Sequence, residues 1–210
     1  MRRVIVLIIT FCVCLVIDLS GQHFSTKDSI RGGLSPERTC YDVTHYELAL
    51  DFKFEDRSIK GSNIISFDLL KQSDLLQVDL FETMDVDSII WNSKALSYFR
   101  KFDGIFIDIS PLKALQSHQI EIFYNGTPRI ARNAPWDGGF VWSEDGFGNP
   151  WVAVACEGLG ASVWWPNKDH LSDEPDSMKM TFTVPQAFSC ISNGQLINVD
   201  SVSTLSLIHI

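Results

Sequence analysis

Tyr41-Asp42-Val43-Thr44-His45-Tyr46-Glu47-Leu48-Ala49-Leu50-Asp51-Phe52 is the stretch whose reading decides the fold. Val43, His45, Glu47 and Ala49 fall on one face, and Tyr46, Leu48, Leu50 and Phe52 fall on the other, the period of a half-buried strand. Asp56-Arg57-Ser58 then supplies a polar turn. The same pattern returns at 64–69, 75–80, 86–91, 104–109, 119–124 and 178–184, each run short and bounded by polar breaks. Beyond the first twenty residues no segment shows a helical stripe. Short strands at even spacing predict an all-β fold, an antiparallel sandwich or saddle of sheets. Phe188-Ser189-Cys190-Ile191-Ser192 and Gln195-Leu196-Ile197-Asn198-Val199 flank Asn193-Gly194, a pair favoured in two-residue turns, and predict a hairpin. The apolar tail Leu205-Ser206-Leu207-Ile208-His209-Ile210 has no closing polar segment, as if the chain were cut short.

With 210 residues, the chain has the length of one well-buried domain. A formal net charge of −9 argues against nucleic acid, whose phosphates call for clustered Lys and Arg. Residues 1–21 open with Arg2-Arg3 and run apolar from Val4 to Ile17, the layout of a signal peptide cleaved after Ser20 or Gly21. Asp18 interrupts that run short of the ~20 apolar residues a membrane anchor needs. The sequence thus predicts an exported protein. Residues 22–39, rich in Ser, Lys, Asp and Gly, read as a flexible leader, and 40–210 as the β-rich domain. Cys12 and Cys14 fall inside the signal, leaving Cys40, Cys156 and Cys190, which lack the density of a disulfide scaffold and the spacing of a zinc knuckle.

Glu157 stands directly after the apolar run Trp151-Val152-Ala153-Val154-Ala155-Cys156 and ahead of Gly158-Leu159-Gly160-Ala161-Ser162-Val163-Trp164-Trp165-Pro166. A carboxylate at a strand end, beside small and flat residues, suits the holding of a cationic amine; the plain alternative is a solvated or backbone-satisfied acid. Asp173-Glu174-Pro175-Asp176 reads as turn chemistry rather than as a metal cluster. Residues 135–151 read as a long loop or irregular hairpin, and its Trp136, Phe140, Trp142, Phe147 and Trp151 form an aromatic set with Trp164 and Trp165. Such rings either pack a core or, if exposed in a row, stack against sugars. His45 and His118 lie on strand-like segments and read as structural, while His170 falls in a loop. Asn125-Gly126-Thr127 is a glycosylation sequon.

The order of these features resembles the N-terminal domain of the aminopeptidase N family, the gluzincin zinc metallopeptidases. Tyr41-Asp42-Val43-Thr44-His45-Tyr46-Glu47-Leu48 is similar to that family's opening strand, Ile59-Lys60-Gly61-Ser62 to its second, and Asp79-Leu80 to its strand ending in Asp-Leu. Glu157 and Pro166 keep the family's spacing between its substrate-recognising acid and the Pro of its Phe-Pro turn, and Asp173-Glu174-Pro175-Asp176 resembles its Asp-Glu-Pro-Asp turn. This chain has Ser162-Val163 where relatives commonly carry Arg-Arg, and it inserts Asn167-Lys168-Asp169-His170-Leu171-Ser172.

The resemblance implies that Glu157 binds the α-amine of peptide substrates with free N-termini. It also implies a zinc cofactor, held in a catalytic domain that this chain lacks. None of the five His residues begins an H-E-x-x-H motif, and the Gly-x-Met-Glu-Asn strand is absent, so no residue here is assigned a catalytic or metal-binding role. The expected function is the N-terminal domain of a zinc-dependent aminopeptidase, apparently a fragment whose partner is its own catalytic domain. Two alternatives stand beside it: a non-catalytic secreted β-sandwich module binding peptides or carbohydrate through the aromatic loop, and a scaffold whose acidic motif is structural.

Overall fold

The computed structural model, which describes residues 24–210, has thirteen strands among them, most of the longer ones built on these alternating runs. The expected signal at 1–21 lies outside the described residues. β1 (Tyr41–Lys53), β2 (Ser58–Leu69), β4 (Met84–Trp91), β5 (Lys94–Ala95), β8 (Gln116–Gly126), β11 (Ser177–Pro185), β12 (Asn198–Val202) and β13 (Leu205–His209) form one large sheet in the order β12-β13-β11-β1-β2-β8-β4-β5. A second sheet joins β3 (Leu75–Asp79), β6 (Tyr98–Lys101) and β7 (Gly104–Asp108), and a third is the hairpin of β9 (Gly139–Glu144) and β10 (Pro150–Ala155). The fold is all-β as the sequence predicts, with one departure from antiparallel pairing. β1 and β11 run parallel, so the large sheet is mixed. A parallel pair needs a long crossover, and the intervening chain supplies it while building the two smaller sheets.

One hydrophobic cluster lies between the large sheet and the three-stranded one. Leu48, Leu50, Ile65, Phe67, Ile120, Ile122 and Tyr124 of the large sheet share it with Leu76, Val78, Ile105 and Ile107 of the smaller one. In β1 the buried set is Tyr41, Val43, Tyr46, Leu48 and Leu50, a switch from odd to even positions. A bulge between Val43 and His45 causes the switch, because one extra residue flips every later side chain to the other face.

Three segments differ from the sequence expectations. The stretch expected as a flexible leader carries a helix, Thr26–Gly32, closed by a Ser25/Asp28 capping box, and a second turn of helix, Pro36–Thr39, capped by Ser35. Both are too short to show an apolar stripe. The Asn193-Gly194 turn is only a bend, and the hairpin forms one segment later, between β12 and β13, with Ser203 at φ 57°. Tertiary pairing decides this: β13 lies between β12 and β11 and buries Ile208, which makes the apolar tail a strand of the large sheet. The aromatic stretch becomes the regular hairpin β9–β10, its turn closed by Asp145 Oδ1 accepting from the Phe147 and Asn149 amides at 2.8 and 2.9 Å.

Gly61 in β2 lies opposite Leu50, and a Cβ there would stand 1.9 Å from the Ala49 carbonyl oxygen and 2.8 Å from Leu50 Cδ2. Gly61→Ala must push the two central strands apart. The expected loss is roughly 1–3 kcal/mol, read as a lower urea midpoint at unchanged slope.

Candidate functional site

Between β10 and β11 the chain runs through Glu157 and the acidic motif, and its path is fixed by buried polar contacts. Cys156 O accepts from Leu159 N–H at 3.2 Å and from Gly160 N–H at 2.8 Å, which closes a turn with Glu157 near its tip. Arg31, from the first helix, donates to Leu159 O. From the other side, Gly138, at φ 58°, leaves so little room that a Cβ there would lie 3.1 Å from the Glu157 carbonyl oxygen. The Glu157 side chain itself is exposed. It makes no hydrogen bond or ion pair among the described residues.

After the turn, the short 3₁₀ helix Ala161–Val163 is capped from downstream: Asp169 Oδ2 accepts from Ser162 N–H at 3.1 Å and from Ser162 Oγ at 2.5 Å. Gly160, at φ 76°, makes that approach possible, since a Cβ there would meet the Asp169 carboxylate at 2.1 Å. Asp79, at the end of β3, holds the next residues. Its backbone exchanges hydrogen bonds with Asn167 at 2.8 and 3.1 Å, and its Oδ2 accepts from Asp169 N–H at 3.1 Å. Arg38 Nη2 reaches both oxygens of the Asp79 carboxylate at 2.6 and 2.7 Å, with the guanidinium fully buried. The same guanidinium donates to the carbonyls of Ile30, Arg31 and Gly33, which ties the N-terminal helix to the site.

A second buried ion pair anchors the start of β11. Lys168 Nζ contacts Asp173 Oδ2, donates to Tyr41 O at 2.6 Å and lies 4.4 Å from the centre of the Tyr41 ring. Asp173 Oδ2 also accepts from Val43 N–H at 3.2 Å, and Asp176 N–H donates to Thr44 O at 3.1 Å. The Asp-Glu-Pro-Asp segment thus docks on the bulged start of β1 and delivers the chain parallel to it. Asn63 Nδ2, buried in β2, donates to Pro166 O at 2.8 Å.

The aromatic set divides. Phe140, Trp142, Trp164 and Trp165 pack with Tyr46, Phe52, Phe54 and Phe182, with ring centres 5.0–6.5 Å apart. Trp136, Phe147 and Trp151 stay 75, 94 and 57% exposed. His45 bonds Ser177 within the sheet, His118 bonds the Lys113 carbonyl in the loop before β8, and His170 pairs with Ser172 inside its own loop. Cys40, Cys156 and Cys190 are free thiols whose pKa values burial pushes up, which disfavours the reactive thiolate. Arg38, Asp79, Lys168 and Asp169, the residues that fix this loop, carry no local sequence signal of that role; only Asp79 fell within a matched motif.

No family model matches the sequence, and neither does any curated protein. Solved structures do match in fold. An M1 zinc metallopeptidase from Deinococcus radiodurans superposes with a TM-score of 0.67 at 18% identity, covering 86% of this chain and 41% of that one. A variant of an M1 zinc metallopeptidase from the same organism, bound to a Tyr-Ser-Ala substrate, gives 0.63 at 18% identity over 81% and 39%. Native LTA4 hydrolase from yeast gives 0.62 at 18% identity over 90% and 31%. The fold is that of the N-terminal domain of M1 peptidases, and the chain spans between about a third and two fifths of its neighbours' length. Zinc takes three or four His, Cys or carboxylate ligands. Among the described residues no three such side chains group together, so the residues present do not fit the metal.

Burial pushes the Asp79 carboxyl up from 3.8 to about 6, against the opposing pull of Arg38, Gln77 and the Asp169 amide. The folded chain keeps this proton at pH values where the unfolded chain has lost it. This group's contribution to stability is therefore complete below about pH 4 and is lost as pH rises through 6. Chemical unfolding across pH 4–7 should show wild type losing stability relative to Asp79→Asn as pH rises; parallel curves would disprove the shift.

Proposed function

We propose that this chain is the N-terminal domain of an exported zinc-dependent aminopeptidase, and that Glu157 holds the α-ammonium group of the peptide substrate. The observation that carries this reading is the state of the Glu157 carboxylate, exposed and unpartnered among the described residues on a turn whose backbone is fixed from both sides. A carboxylate only accepts and an ammonium brings three donors, so the pair forms charge-assisted hydrogen bonds that a blocked N-terminus cannot make. A carboxylate with no protein partner to give up, on an ordered turn, has only its hydration and side-chain freedom to lose on binding. The fold and its peptide-bound neighbour support this setting. In this reading the zinc, the water it activates and the general base belong to a separate catalytic domain, which is the chain's main partner.

A second reading has one observation in its favour. A groove of about 440 Å³ is lined by Phe54, Arg57, Trp142 and Trp151, which suits a non-catalytic module that binds sugars or peptides.

Reading the transcript past the codon for Ile210 separates the two. The aminopeptidase reading expects Gly-x-Met-Glu-Asn and then H-E-x-x-H in frame. In that enzyme Glu157→Gln should lower kcat/KM for free-amine peptides about 10- to 100-fold, the loss of one charged hydrogen bond. An unchanged value sinks the assignment of Glu157. A stop codon, together with oligosaccharide binding that Trp151→Ala abolishes, would favour the binding module.

A further inference from the structure

β8 of the large sheet ends in Phe123-Tyr124-Asn125-Gly126, and Thr127 follows directly. Asn125-Gly126-Thr127 is the one Asn-x-Ser/Thr triplet among the 210 residues. Strand alternation sends Tyr124 into the core and leaves Phe123 and Asn125, both half-buried, side by side on the outer face, about 7 Å apart along the strand. Across the sheet Phe123 has only serines beside it, Ser62 of β2 and Ser88 of β4. Asn125 lies between Lys60 and Asp85, both exposed. Small side chains flank the ring and exposed charges flank the amide, so both stay partly open to solvent.

The amide is also oriented. A register shift in β4 between Val86 and Ser88 makes Asp87 a bulge residue, and Asp87 Oδ1 accepts from Asn125 Nδ2 at 2.7 Å. An amide nitrogen that carries a sugar keeps one N–H. The bond to Asp87 is therefore compatible with the modified side chain.

We propose that Asn125 carries an N-linked glycan whose first sugar lies against the Phe123 ring. The co-reactant is a lipid-diphosphate oligosaccharide, acted on by a transferase of the secretory route. The bond between C1 of the first sugar and the diphosphate oxygen breaks, the lipid diphosphate leaves with the electron pair, a C1–Nδ2 bond forms, and the amide gives up one proton. The C–H face of a pyranose is apolar, and an aromatic ring two residues back on the same strand face presents the flat apolar surface it packs on. The site rests on the export proposed from residues 1–21 and is independent of Glu157.

The full 210-residue chain, expressed in eukaryotic secretory cells with its own leader, tests the proposal. Peptide mass mapping should find a glycan on Asn125 and a mobility shift that Asn125→Gln abolishes. Glycosylated wild type should melt roughly 2–4 °C above Asn125→Gln, and that gain should vanish in a Phe123→Ser background. Should Phe123→Ser fold poorly, Phe123→Leu repeats the comparison, with a reduced gain expected. A secreted chain with Asn125 unmodified overturns the site itself, an unmodified chain that never enters the secretory route overturns the export on which it rests, and an equal gain with and without the ring overturns the stacking.

Discussion

The buried ion pair between Arg38 and Asp79 is the constraint on which the rest of the site depends. Taking both charges out of water is expensive, and their attraction does not repay it in full: burial still raises the Asp79 carboxyl to about 6 and Arg38 Nε has no partner among the described residues, so the pair supplies specificity more than net stability. Here four of the partners are backbone groups from separate segments: the carbonyls of Ile30, Arg31 and Gly33, and the Asp169 amide. The pair therefore ties together the N-terminal helix, the end of β3 and the loop beyond Glu157. An apolar pair of the same volume would fill that space but would not specify which backbone groups meet there, because dispersion contacts carry no direction.

The same logic extends along the loop. Asp169, placed by Asp79, caps the 3₁₀ helix through Ser162, while Lys168 and Asp173 fasten the chain to the bulged start of β1. The bulge leaves the Val43 N–H and the Thr44 carbonyl to be met by Asp173 and Asp176. A strand that enters the sheet at that point runs parallel to β1. An irregular segment that would otherwise be mobile is held by buried polar bonds at both ends, with the exposed Glu157 on a turn near the first of them.

Much of the fold was legible because strands write their burial into the sequence at period two. β1, β2, β3, β4, β7, β8 and β11 each follow an alternating or apolar run, and β13 lies in the apolar tail. What stayed illegible has physical causes. The helix Thr26–Gly32 buries no side chain, so its only signature is the Ser25/Asp28 cap. β12 is exposed along its whole length and shows no alternation of burial. The Asn193-Gly194 dipeptide favours a tight turn, yet the burial of Ile208 in β13 and of Ile210 just beyond it outweighs that local preference.

The sequence by itself determined an all-β chain, the order of its main strands, and one acidic residue, Glu157, at the end of an apolar run beside glycines and tryptophans. Tertiary structure alone decided that β11 joins β1 in parallel, that Phe140, Trp142, Trp164 and Trp165 pack inward while Trp136, Phe147 and Trp151 stay outside, and that Arg38 finds Asp79. The division follows from range. Periodicity and capping act within a few residues and leave a local trace, whereas a charge pair spanning 41 positions is written in two ordinary residues whose meaning exists only once the chain has brought them together.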